Sequence, residues 1–179
     1  MIQVTPQISL QLIQNTDCKL LFSLMKEIYP PAYSHFWKDY GSWYVASQYS
    51  KSAVLKDLLE VKSDYYFILF KNEVVGNFRI VWDKKLDGLT AEKQVKLHRI
   101  YIHPKTQGNG IGKKLLFWLE EKAREKNYKV IWLDAMNKQP QAFEFYKKRG
   151  FKYHSHEFLN FDLLHDDVRK MSQLYKNIE

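Results

Sequence analysis

Apolar residues along this chain change period several times, and each change predicts an element. Ile8 to Gln14 alternates and predicts a strand. Asn15-Thr16-Asp17 then offers a helix start, and Leu20, Leu21, Leu24, Met25 and Ile28 form one helical face that should stop at Pro30-Pro31. Ser52 to Glu60 predicts a short helix carrying Val54, Leu55, Leu58 and Leu59. Two strands, Tyr65 to Phe70 and Val74 to Trp82, flank Lys71-Asn72-Glu73 as a hairpin. A polar stretch leads to a strand over Val95 to His103, and a helix follows from about Gly110 to Lys126. Val130 to Ala135 is a compact apolar strand, and Pro140 opens another helix, with Gly150 placed to end it. Phe151 to Phe161 and Val168 to Tyr175 read as a last pair of strands. The order β-α-α-β-β-β-α-β-α-β-β describes an α/β domain on one mixed sheet.

The 179 residues fit one domain, residues 1–179, with no repeat or linker to divide it. No apolar run approaches the roughly 20 residues that span a bilayer, and the N-terminal residues lack the pattern of a signal peptide. The lone cysteine, Cys18, rules out an intrachain disulfide, so a cytoplasmic protein without a membrane partner is expected. The net charge of +8 would suit nucleic acid, but the lysines are dispersed and no recognition motif accompanies them. Nucleic-acid binding is therefore the minor reading. No metal site is expected.

Chemistry is concentrated in one stretch, His98 to Leu116. There a strand runs into a turn with three glycines in five residues, Gly108, Gly110 and Gly112, and the turn enters a helix. The first N–H groups of a helix lack internal partners and carry about half a positive charge, which suits phosphate. Lys113 and Lys114 add charge there. The spacing matches neither the dinucleotide fingerprint nor the Walker pattern.

Gln107-Gly108-Asn109-Gly110-Ile111-Gly112 resembles the Gln/Arg-x-x-Gly-x-Gly/Ala motif that holds the coenzyme A pyrophosphate in GNAT acetyltransferases. A second block, Ala142, Phe145-Tyr146 and Gly150-Phe151, has that family's register as well. The resemblance spans nearly the whole chain. It implies a mostly antiparallel sheet of six to seven strands with about four helices, and acetyl-CoA as acyl donor. It also implies that Ile100, Tyr101 and Ile102 bond the pantetheine arm. The backbone from Gln107 through Lys113 would then hold the pyrophosphate, and the N–H of Ile102 would polarise the thioester carbonyl. Gln139 stands at the position where many relatives use asparagine to contact the cofactor, and Asn137, two residues earlier, is the other amide that could reach the pantetheine.

Tyr146 occupies the position of the family tyrosine that protonates the departing thiolate. His98 is the candidate base for the acceptor amine, because strand alternation would place it on one face with Ile100 and Ile102. Ordered water, or a carboxylate such as Glu27 or Asp39, is the alternative, and His103 is read as structural. The aromatic segment Tyr29 to Tyr44 corresponds to one wall of the family's acceptor pocket. Tyr33, Trp37 and Trp43 are its candidate substrate contacts, on a small-molecule or protein amine. A structural loop capping the core, or part of a homodimer interface, is the competing use of those rings. A non-catalytic acyl-CoA sensor is the competing function, and it would need neither Tyr146 nor a base.

Overall fold

The computed structural model describes residues 1–178. Its strands are β1 (Ile2–Thr5), β2 (Ile8–Leu12), β3 (Ser63–Phe70), β4 (Glu73–Trp82), β5 (Gln94–Ile102), β6 (Val130–Met136), β7 (Lys152–Phe158) and β8 (Lys170–Asn177). Its helices are α1 (Cys18–Tyr33), α2 (Ser42–Gln48), α3 (Lys51–Leu59), α4 (Ile111–Glu125) and α5 (Pro140–Lys148). Among the described residues the strands form one sheet in the order β1-β2-β3-β4-β5-β6-β8-β7. Every neighbouring pair is antiparallel except β5 and β6.

The α/β class and the mostly antiparallel sheet agree with the sequence reading, with one strand and one helix more. The additional strand is β1, four residues that pair with β2 across a tight turn. The additional helix is α2, inside the aromatic segment. Asp39 starts it by accepting from Gly41 N–H at 3.1 Å and Trp43 N–H at 2.5 Å. A second correction concerns α1, which runs through Pro30 and Pro31 to Tyr33. The prolines remove the donors that would reach the carbonyls of Lys26 and Glu27, and both of those residues are exposed, where water can serve instead. The turn closes with Ser34 N–H on Pro30 O.

Two apolar cores lie on opposite faces of the sheet. One holds α4 residues Ile111, Leu115 and Leu119 with Phe78, Leu97 and Leu133, and the α5 residue Tyr146 belongs to it. The other holds Leu21, Met25 and Ile28 of α1 and Val54 of α3, with Tyr65 and Phe67.

The register between β4 and β5 slips at one place. Arg79 pairs with Arg99 and Ile80 with Leu97, leaving His98 as an extra residue, a β-bulge. Side-chain alternation breaks there. Leu97, Ile100 and Ile102 all meet the α4 core, while Tyr101 packs on the opposite one. His98 therefore does not share a face with Ile100 and Ile102, as regular alternation requires, and its ring meets Arg79 instead. Like charges directly opposite one another are unfavourable, and the Arg79–Arg99 pair is bridged by Asp57 of α3. Its carboxylate lies 3.2 Å from Arg79 Nη1 and 2.7 Å from Arg99 Nη1. Glu60 also pairs with Arg79, and Arg99 Nη1 donates to Tyr65 Oη at 3.0 Å. Both arginine side chains are at least 93% buried, with 2% and 7% exposure.

Removing one partner of a buried charge cluster typically costs roughly 3–5 kcal/mol. Asp57→Ala, which strands two buried guanidinium groups, is expected to lower the melting temperature by about 6 °C or more, at about 2–4 °C per kcal/mol for a domain of this size. Asp57→Asn should lose less. Thermal unfolding by circular dichroism checks both, and an unchanged midpoint in Asp57→Ala would show that the cluster does not hold α3.

Candidate active site

The parallel pairing of β5 with β6 covers only Gln94–Leu97 against Val130–Leu133. Beyond Leu97 the strands part. Residues 98–102 stay with β4, and residues 134–136 stay with β8. The N–H of His103 bonds Val75 O at 2.7 Å. Alternation along the strand then turns the N–H and C=O groups of Ile100 and Ile102 toward the opening, where β6 no longer meets them. The backbone of Tyr101 is turned toward β4 instead: an added Cβ on Gly76 would lie 2.1 Å from Tyr101 O.

The opening continues into a cleft of about 470 Å³. It is lined by Ile100, Tyr101, Ile102, Gln107, Gly108, Gly110, Ile111, Gly112, Lys113, Gln139 and Tyr146, all singled out from the sequence. At its far end α4 begins on Gly110, whose φ of 69° is in the left-handed region, and no side chain caps the helix. Gly108 shares that conformation at φ 85°. An added Cβ at either glycine meets no protein atom within 4 Å, so the cradle is open on the ligand side. Phosphate and a narrow polar arm fit this donor set, with free helix N–H groups at one end and unpaired strand backbone at the other.

Several expectations are corrected. Asn109 does not line the cleft, since its side-chain amide donates to Thr106 O at 2.9 Å and ties the turn. Asn137 is held by Ser172, whose hydroxyl donates to its Oδ1 at 2.5 Å. Gln139 is the amide at the cleft, where its Nε2 donates to Ala32 O at 2.9 Å and joins α5 to the end of α1. Of the three aromatic candidates only Tyr33 reaches the cleft. Trp37 is buried, donating to Tyr29 Oη at 2.8 Å, and it packs with Trp43 and Phe161. These rings belong to a seam in which Lys38 N–H bonds Leu163 O at 2.8 Å and His165 N–H bonds Phe36 O at 2.9 Å. Asp39 caps α2, which removes it as a base. Glu27 is exposed, 3.5 Å from His103 Nε2, and does not line the cleft.

Ile28, Ala32, Thr106, Gln141, Ala142 and Phe145 line the cleft although sequence reasoning assigned them no contact. Ala142 and Phe145 had a signal, because they are fixed positions of the second block. Ala32 was hidden by the assumption that Pro30 ends the helix. Among the described residues lining the cleft, Lys113 is the only charged one. Tyr146 is buried, which pushes its phenol well above the ordinary value and keeps it protonated. Burial also holds the Tyr33 phenol up, at about 12.

His98 is the clearest departure. Its Nδ1 faces Arg79 Nη1, and a guanidinium has only donors to offer, so Nδ1 must present its lone pair. The neutral ring then carries its proton on Nε2. Burial, followed by the charges of Arg99 and Arg79, lowers its pKa to about 2. A ring with its accepting nitrogen engaged and so little basicity is poorly suited to taking a proton from an ammonium group.

The acetyltransferase (GNAT) family model matches residues 22–151. A Lactobacillus delbrueckii subsp. lactis protein, described as an uncharacterized N-acetyltransferase in the pepI 3′ region, is 31% identical over 98 residues, covering 54% of this chain and 57% of that protein. The aminoalkylphosphonate N-acetyltransferase of Salmonella typhimurium is 29% identical over 96 residues, covering 54% and 61%. The chain spans 54% to 61% of the length of the curated relatives it matches. The PaiA N-acetyltransferase of Thermoplasma acidophilum, solved with coenzyme A, has the same fold at a TM-score of 0.73 and 19% identity, over 95% of this chain and 98% of that one. RimL, a ribosomal L7/L12 α-N-protein acetyltransferase solved with coenzyme A, does so at 0.72 and 14%, over 99% and 97%. With the glycine-rich turn, the parted strands and Tyr146 assembled around one cleft, the chain belongs to the acetyltransferase (GNAT) family.

Proposed function

We propose that this chain transfers an acetyl group from acetyl-CoA to the amine of an acceptor molecule. The observation that carries the reading is the opening between β5 and β6, which ends on the uncapped N-terminus of α4. The donor supplies a thioester, an activated acyl group whose leaving thiolate ionises near pKa ~8.5. Backbone groups of Ile100 and Ile102 hold the pantetheine arm. The Gln107 N–H is taken by Pro104 O at 3.1 Å, so the N–H groups from Gly108 through Lys113 hold the pyrophosphate, with the Lys113 ammonium beside them. Gln139 closes the cleft from α5.

Tyr146 gives its proton to the departing sulfur. Burial suits it to that task, because a phenol that stays protonated is always ready to donate. An alkyl ammonium has a pKa near ~10.4 and must lose a proton to attack. No carboxylate lines the cleft among the described residues, so that proton leaves to water. Enzymes of this fold are named for spermidine and for ribosomal protein L7/L12, and a curated relative for aminoalkylphosphonates, so acylation of an amine is their shared chemistry. A non-catalytic acyl-CoA binder would have no use for a buried phenol at the cleft, which favours transfer.

Gly110→Val is expected to fold, since its Cβ meets no protein atom, yet to weaken acetyl-CoA binding at least tenfold through the left-handed φ and the occupied cradle. Calorimetric titration measures this, and unchanged affinity in a folded variant would remove the turn from the site. Tyr146→Phe should lower kcat by ~10²-fold with little change in the KM for acetyl-CoA. Because the Tyr146 phenol is held above its ordinary pKa, wild type and Tyr146→Phe should show equal tyrosinate absorbance up to pH 10.5. One extra tyrosinate in the wild type at that pH would contradict its burial.

A further inference from the structure

The cleft does not stay on one side of the sheet. Ile102, Ile111, Phe145 and Tyr146 line it and pack with the core under α4. Ile28, Tyr33 and Tyr101 also line it, and they pack with the core on the opposite face. The cleft therefore passes through the plane of the sheet where β5 and β6 part. The glycine turn and Lys113 hold its α4 side. With the donor's phosphates there and its thioester at the parting, the space left for an acceptor is the part walled by Ile28, Ala32, Tyr33 and Tyr101.

That wall carries no countercharge among the described residues. From α1 it receives aliphatic groups and the Tyr33 phenol, while Glu27 is exposed and turned to His103 at 3.5 Å. From β5 it receives the Tyr101 phenol, and from α5 that of Tyr146. Burial keeps all three phenols protonated through the range in which amines titrate, with Tyr33 held at about 12. Behind Tyr33, Tyr29 stacks on Tyr44 of α2, and Asp39 is taken by the N–H groups of Gly41 and Trp43. Arg99 of β5 is held by Asp57, and His98 is engaged with Arg79. Asp134 of β6 pairs with Lys96 at 2.6 Å and does not line the cleft. An ammonium ion entering this space loses its hydration and finds no opposite charge, which favours the neutral amine. Cation–π attraction is the smaller effect, and one face of the Tyr33 ring already lies on Tyr29 at 4.9 Å.

We infer that the acceptor enters as the neutral amine, so that the enzyme selects weakly basic amines, above all α-amino groups, over alkylamines. The inference rests on the transferase reading and names its class of acceptor. At pH ~7.4 an alkylamine of pKa ~10.4 is ~0.1% neutral, whereas an α-amino group of pKa ~7.7 is roughly one-third neutral. Lower basicity also weakens the nucleophile, which offsets part of that advantage. The proton goes to solvent before binding, and the free lone pair attacks the thioester carbonyl.

Thiol release from acetyl-CoA with ethylamine, 2-fluoroethylamine and 2,2-difluoroethylamine tests this, because basicity falls along the series at nearly constant size. Between about pH 6 and 9.5, kcat/KM should rise roughly tenfold per pH unit up to each amine's own pKa and then level off. The midpoint thus moves with the amine, and near neutral pH the difluoro compound should exceed ethylamine about tenfold or more. Leucinamide should exceed 3-methylbutylamine in the same way. A peptide with N-terminal leucine then reports whether the α-amino group comes from a small molecule or a chain end, and turnover of either supports the class. A carboxylate placed in the wall by Ala32→Asp should raise the ratio of ethylamine to difluoroethylamine turnover about tenfold. An unchanged ratio in a folded variant that still binds acetyl-CoA would remove the acceptor from this wall. A midpoint common to all three amines would reveal an enzyme base, and a fall in kcat/KM above an amine's pKa would reveal capture of the ammonium. Either result would refute the inference while leaving the transferase reading intact. Turnover of no amine by protein that binds acetyl-CoA would overturn both.

Discussion

The ion pairs from Asp57 to Arg79 and Arg99 clamp α3 onto the rung of the sheet where β5 carries its extra residue. Two guanidinium groups face each other across β4 and β5, and that register tolerates them because one carboxylate serves both. The bulge they flank has two consequences. It reverses the facing of β5, so that Ile100 and Ile102 turn to the α4 side, and it sets His98 beside Arg79 on the other. Just beyond it the parallel bonding to β6 ends. The opening that receives a ligand thus begins where the sheet is already irregular.

That opening explains the division of labour in the site. Unpaired strand backbone is costly when buried and useful when a ligand supplies the missing partners. β5 presents such groups at Ile100 and Ile102, and the turn that follows presents more at the start of α4. α5 then crosses the cleft with Gln139 and Tyr146. The end of α1 closes the opposite side with Ile28, Ala32 and Tyr33. The polar side chains here are the phenols of Tyr33, Tyr101 and Tyr146, the amides of Gln107, Gln139 and Gln141, the Thr106 hydroxyl and the Lys113 ammonium, and the strand and turn backbone adds the unpaired groups.

The aromatic segment illustrates how composition alone misleads about function. Seven rings between residues 29 and 44 suggest a pocket for a cationic or apolar acceptor. Most of them are spent on construction. Tyr29 stacks between Tyr33 and Tyr44 at 4.9 and 4.5 Å, and Trp37 pins the segment to the β7–β8 connection through its bridge with Leu164. Tyr33 alone of the expected three reaches the cleft, because α1 continues through two prolines and carries it there.

The sequence by itself determined the α/β class, the glycine-rich strand-turn-helix that lines one end of the cleft, and the place of Tyr146 on α5. These features are local: glycine spacing, helix starts and a fixed register of alanine, tyrosine and glycine act over a few residues, so a linear reading can recover them. Tertiary structure alone decided the tautomer of His98, the burial of Trp37 and the passage of α1 through Pro30. Each depends on a partner distant along the chain. His98 turns away from Ile100 because a single inserted residue shifts β5 against β4, and one residue of slip reverses a strand's facing without altering its pattern of apolar and polar positions.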